Sequence, residues 1–424
     1  MAVPYKVFYA RQEGAKLDSD IIHGGGSDDT AVLQHILDQA LEGVYVHLIM
    51  DGAALITGLR VHSNTKIECL TPECGFYLAD NSDCPVLRNA VYSFDEIKTR
   101  NIVLEGGTYN QNCKHQKHDV PISDEVVCNN GDTRWAVVGM EFFGVEYLTI
   151  QNVRFLNHRT YAFLASNWRH VRMENIRLEL IDQMYAQNQD GLHFWGKGQH
   201  LVLKNISGQS GDDFIALNVD ENDLESSITD VLIDGVFFED VDQGIRLLCR
   251  ERGRLDRVII RNVTGTYKSF GFYINAWFPP YGGNFGNIII ENVDIRQLEP
   301  VYDYTNPFLF RVGGNIECLT LRNIYVHHPI DNRPFMDLGV AFYTDDRPDF
   351  DLQNVILDGV FIQLDRALPD YHLIEVYSRV RRLSIHNLQV YNSQESAAFD
   401  GRLIHYQPGG SIEQVEICHC NVEE

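Results

Sequence analysis

The sequence predicts an all-β fold: a single-stranded, right-handed parallel β-helix of about ten or more coils with an N-terminal capping helix. Two observations carry this. A four-residue phrase, apolar, any, Asn or Gly, then most often β-branched, returns ten times after residue 100. Its third position falls at Gly106, Asn152, Asn175, Asn205, Gly235, Asn262, Asn292, Asn323, Gly359 and Asn387. After a first gap of 46 the intervals are 23, 30, 30, 27, 30, 31, 36 and 28, the self-similarity of stacked coils. The second observation is a single amphipathic helical stripe near the start, followed by strand signals. The whole of 1–424 is read as one domain, with a cap region of about 1–45 and an inserted loop of about 110–134.

In chain order, residues 5–10 read as a short strand. Gly24-Gly25-Gly26 punctuates, and Ser27-Asp28-Asp29-Thr30 offers N-cap candidates ahead of Val32, Leu33, Ile36, Leu37 and Leu41, apolar at helical spacing. A helix there suits a solenoid whose first coil would otherwise expose apolar core and strand edges. The segment 44–70 alternates apolar and polar residues with glycine turns. In the repeat, Asn and Gly suit a sharp turn because they take left-handed backbone most readily. Short strands with no second helix per coil exclude leucine-rich and ankyrin arrays.

Composition narrows the partners. Apolar content of 44% and charged content of 22% belong to a well-packed protein. A formal charge of −24 argues against nucleic acid and anionic membranes, which need a basic surface. Nine cysteines leave at least one thiol unpaired within the chain, as expected of reduced cysteines in a cytoplasmic protein. No secretory leader is legible at the start, although a trimmed secreted protein would read the same. Oligomeric state is not legible.

The stretch from Asn188 to Asn218 holds three aspartates, Asp190, Asp212 and Asp213, ahead of two short apolar runs. Asp190 and Asp213 are 23 residues apart, about one coil, so strands about 4.8 Å apart would crowd all three carboxylates together. Mutual repulsion then opposes full ionisation and sets a proton donor beside an acceptor. The plainer alternative is three solvated turn aspartates. In register, Ile215 and Leu217, Ile245 and Leu247, and Phe272 and Ile274 point into the core. His193, Ala216, Arg246 and Tyr273 form an outward row, with Asn218, Leu248 and Asn275 in the next. An Arg and a Tyr beside acids suit a sugar subsite, and equally an ordinary surface.

These residues carry a family resemblance. Asn188-Gln189-Asp190-Gly191 resembles the Asn-Thr-Asp-Gly of polygalacturonase-type (family 28) glycoside hydrolases, and Ser210-Gly211-Asp212-Asp213-Phe214-Ile215-Ala216 resembles their Gly-Asp-Asp-Cys-Ile-Ala segment. Ser166-Asn167, Glu174-Asn175-Ile176 and the run 63–68 are similarly laid out, so the likeness spans roughly residues 20–390. It implies an inverting glycosidase without cofactor or metal, with Asp212 as general acid and Asp190 and Asp213 activating water. Inversion needs room for that water, roughly 6.5–9.5 Å between carboxyls. Asn188, His193, Gln243, Arg246, Tyr273, Asn275 and Trp277 would bind an oligo- or polysaccharide. Cys113, His115 and His118 in the inserted loop are read as part of a lid or plain surface rather than as metal ligands.

Two departures bear on the substrate. The family's Gly-His-Gly falls at Asp242-Gln243-Gly244, and its Arg-Ile-Lys at Tyr273-Ile274-Asn275, so both cations are absent. Arg246, or Arg250 and Arg252, would have to replace them; otherwise the sugar is neutral. Aromatics at 277–281 either stack on sugar or cap a coil end. A β-helix lyase, epimerase or fructotransferase is the second enzyme class, and a non-catalytic, tailspike-like glycan-binding protein the third.

Overall fold

The computed structural model describes residues 3–118, 120–121, 133–134, 137–182, 188–250, 252–276, 281–300, 307–327, 333–340, 350–364, 372–392 and 402–422. It is a right-handed parallel β-helix with two compact units, Met1–Asp213 and Phe214–Glu424. Among the described residues no helix is long and apolar enough to cross a membrane.

In the first unit each coil places an apolar residue directly over that of the preceding coil. One such column runs Leu48, Ile67, Leu104, Ile150, Met173, Leu203, all in parallel register and all buried. The second unit has its own column, Ile233, Ile260, Ile290, Leu321, Leu357, Ile385 and Ile417. Six of those seven are completely buried, so each coil's core is made by its neighbours, as a one-dimensional stack requires.

The N-terminal helix spans Thr30–Asp38 and buries Leu33, Ile36 and Leu37 against the first coils. Leu41, expected in the same stripe, lies beyond the helix end and is exposed. The cap chemistry differs from expectation. Asp29 occupies the N-cap position, but its carboxylate accepts the Lys16 and Leu17 N–H groups at 2.7 and 2.8 Å. Asp28 instead accepts the Thr30 N–H at 2.8 Å. The acid thus ties the leading loop down rather than capping the helix.

All ten repeat positions adopt left-handed backbone, with φ from 53° at Asn205 to 81° at Gly235. The asparagines also bond between coils. Asn175 Nδ2 donates to Asn152 Oδ1 at 2.9 Å and Asn205 to Asn175 at 3.0 Å. In the second unit Asn292 donates to Asn262 and Asn323 to Asn292, at 3.1 and 3.0 Å. Where glycine holds the position, the next asparagine reaches the acid just before it. Asn152 bonds Glu105, Asn262 bonds Asp234 and Asn387 bonds Asp358, at 2.8, 2.7 and 3.1 Å. The Glu-Gly and Asp-Gly variants therefore keep the ladder unbroken at those steps.

A prediction follows from this double duty. Asn292→Ala loses two bonds and puts a Cβ-bearing residue without asparagine's local compensation at φ 57°, costing about 2 kcal/mol. Asn292→Gly keeps the backbone and should cost less. Urea midpoints that are equal for the two variants would remove the backbone part of this account.

Candidate active site

The three aspartates lie within the first unit, where backbone hydrogen bonds stitch adjoining coils together. Gly211 and Asp212 N–H both donate to Gln189 O, at 3.0 and 3.2 Å, and Gly191 N–H donates to Asp213 O at 2.8 Å. One coil back, Ala162 and Phe163 N–H donate to Asp190 O and Gly191 O at 2.9 and 3.1 Å. The segments 188–191 and 210–213 therefore run side by side, as the 23-residue spacing predicts.

Each carboxylate has a distinct setting. Asp190 is 3% exposed, and its Oδ2 lies 2.7 Å from Nδ1 of His193, itself 1% exposed. With Asp190 ionised, Nδ1 donates and holds the charge in place. Asp212 is half-buried; the Asn188 N–H donates to its Oδ2 at 3.0 Å, and its own carbonyl accepts the Ser210 hydroxyl at 2.8 Å. Asp213 is buried.

The outward row predicted to face solvent is buried. His193 pairs in register with Leu164, and its ring stacks on Tyr161 at 4.1 Å and meets the Trp195 edge at 6.1 Å. Val138, Phe143, Tyr161, Leu164 and Trp195 form one buried cluster, with Tyr92 and Phe94 packed against it. The segment around residues 92–94 covers a face that strand alternation alone leaves bare. In that row Glu141 accepts the Tyr92 hydroxyl. Ser166 and Asn167 bond the carbonyls of Gly196, Ser93 and Glu96, holding these segments together.

His158 is a second buried histidine, one that no motif in the sequence singles out. It is fully buried one coil before Gln189, whose Nε2 donates to its carbonyl at 3.0 Å. Burial pushes its imidazole down to about 3, so the ring is neutral, and neither ring nitrogen has a hydrogen-bond partner among the described residues.

Gln243, Arg246, Tyr273 and Asn275 lie in the second unit. Arg246 and Tyr273 are register partners, with the guanidinium 5.2 Å from the ring centre and both residues buried. Along the same column Tyr273 pairs with Arg311 and Arg311 with Asp337, where the guanidinium bonds the carboxylate at 3.2 Å. Burial pushes Asp337 up to about 6 against the pull of Arg311, and raises the Tyr273 phenol. Asn275 is completely buried, and its side-chain amide has no partner among the described residues. Arg250 is committed to the Asp220 carboxylate and to the carbonyls of Asp220, Glu221 and Asp223, so it is a poor replacement cation. Arg252 pairs with Glu225 at the surface. Trp277 lies outside the described residues. In the inserted loop Cys113 is buried, and His115 bonds Asn112 and pairs with Asp80.

No family model and no curated protein sequence matches this chain. Solved structures do. A family 28 exopolygalacturonase from Yersinia enterocolitica aligns with a TM-score of 0.58 at 13% identity, over 98% of this chain and 78% of that one. The catalytic domain of a GH87 alpha-1,3-glucanase gives 0.58 at 12%, over 99% and 69%. The A-module of a mannuronan C-5 epimerase from Azotobacter vinelandii gives 0.51 at 14%, over 94% and 100%. At such identities the likeness establishes the fold alone. The chain is a parallel β-helix protein of polygalacturonase-like architecture.

Proposed function

We propose that this protein is a glycoside hydrolase cleaving an O-glycosidic bond in a pectic or other plant-type oligo- or polysaccharide by inverting acid–base catalysis. The observation that carries this is the stitching of segments 188–191 and 210–213, which sets Asp190, Asp212 and Asp213 on adjoining coils with Asp190 tethered to His193. Asp190, kept ionised by the imidazole, accepts a proton from water, helped by Asp213. The water attacks the anomeric carbon while Asp212 protonates the departing oxygen. The family's arginine and lysine are absent from positions 273 and 275, so the reading carried over from the sequence is a neutral sugar. Fold likeness to two glycosidases supports the reading.

Proton NMR of the first-formed product tests it, run on whichever member of a panel of neutral and pectic oligosaccharides the protein cleaves. The expected product has the anomeric configuration opposite to that of the substrate linkage. Retention would replace the water-activating pair by a nucleophile. An unsaturated product would make the same acids part of an elimination.

A further inference from the structure

The second unit ends in a cluster of donors unlike the rest of its surface. Beside the asparagine ladder runs a column of charged side chains, Asp234, Arg261, Glu291, Arg322 and Asp358, in coil-to-coil register. Arg261 bonds Asp234 at 2.8 Å, Arg322 bonds Glu291 at 3.2 Å, and Arg322 lies 3.8 Å from Asp358. The alternation of acid and arginine then stops. The next two positions are His386 and Cys418, which face each other on the strands Arg379–Asn392 and Ser411–Cys418. Glu416 lies two residues before Cys418, on the same strand face. One ligand atom from each of His386, Glu416 and Cys418 lies within 4.8 Å of the others. Cys420 follows, half-buried, with its Sγ 3.5 Å from the Cys418 carbonyl.

The geometry points to a divalent-metal site of the zinc type, formed by His386, Cys418 and Glu416. An imidazole, a carboxylate and thiolates are the donors zinc takes in tetrahedral sites, at about 2.0–2.3 Å. Ligand atoms around such an ion lie roughly 3.3–3.8 Å apart, so the observed convergence needs only a small side-chain adjustment. Glu416 also accepts a hydrogen bond from Arg382 at 2.9 Å, which orients its carboxylate and leaves a second oxygen for the ion. The thiol gives up its proton on binding, so uptake of the ion releases acid. The consequence is structural: the ion would pin the exposed strand Ser411–Cys418 to the strand beneath it.

Cobalt(II) titration of reduced, chelator-stripped protein tests the site without any substrate. The expected result is one equivalent bound with a thiolate-to-cobalt charge-transfer band, displaced by zinc. Cys418→Ser should abolish the band, and His386→Gln should weaken binding by more than the roughly 10–100-fold that loss of an outer partner costs. Cys318→Ser, on a different part of the same unit, should change neither. If Cys418→Ser is not folded, His386→Gln together with Glu416→Gln decides. Absence of a stoichiometric band, or a band that survives removal of these ligands, overturns the site.

Discussion

Asp212→Asn is expected to lower turnover by about 10²-fold or more while leaving the melting temperature nearly unchanged, the loss usual for removal of a general acid. The two halves of this result have separate causes. Asparagine offers an oxygen in the same place, so the Asn188 N–H that now donates to Oδ2 keeps a partner, and the half-buried side chain leaves no cavity. What disappears is the transferable proton. Asp190→Asn should behave differently. Its amide oxygen still accepts from His193, but the carboxylate proposed to take the proton from water is gone. The acid limb of the pH–rate profile should therefore be lost along with turnover in Asp190→Asn. In Asp212→Asn the basic limb should go instead. A folded Asp212→Asn protein that keeps more than a tenth of wild-type turnover removes Asp212 from the mechanism.

The repeat was legible because its signal is local. A left-handed turn strongly restricts the residue that occupies it, and all ten positions read from the sequence have that backbone. The side-by-side placement of segments 188–191 and 210–213 was legible for the same reason, since the coil length converts 23 residues of sequence into adjacency. The environment of the acids was not. Strand alternation placed His193 in an outward row but said nothing of Tyr161, 32 positions away, or of the edge of Trp195, whose rings pack on it. His158 carried no signal at all, because a histidine on a short turn reads alike whether buried or exposed. The sequence offered Asp28 and Asp29 alike as N-cap candidates; Asp29 takes the position, but its carboxylate serves the leading loop. Only the course of residues 15–18 decides which one turns inward.

His158→Phe is expected to gain about 3 kcal/mol of stability relative to wild type between pH 7 and pH 4. In the folded protein burial holds the imidazole down to about 3, whereas an unfolded chain titrates near its ordinary value of about 6.5. Between those values the unfolded state binds a proton that the folded state refuses, so wild-type stability falls as pH drops below about 6.5. Each pH unit in that window is worth about 1.4 kcal/mol, and 2.5 units separate 6.5 from 4. Asp337 works in the opposite sense. Raised to about 6, it keeps a proton that the unfolded chain releases above its ordinary 3.8, and so favours the folded state as pH falls towards 3.8. The two slopes oppose each other in the wild type, which is why its own acid stability is a poor test and the difference between variants a good one. Phenylalanine is larger than histidine, so overpacking this buried site costs about 1–3 kcal/mol, but that cost is the same at every pH and leaves the pH-dependent gap intact. Urea midpoints at pH 7, 5.5 and 4 measure the difference. A wild-type-minus-variant gap that does not change with pH would mean that His158 is not held neutral by burial.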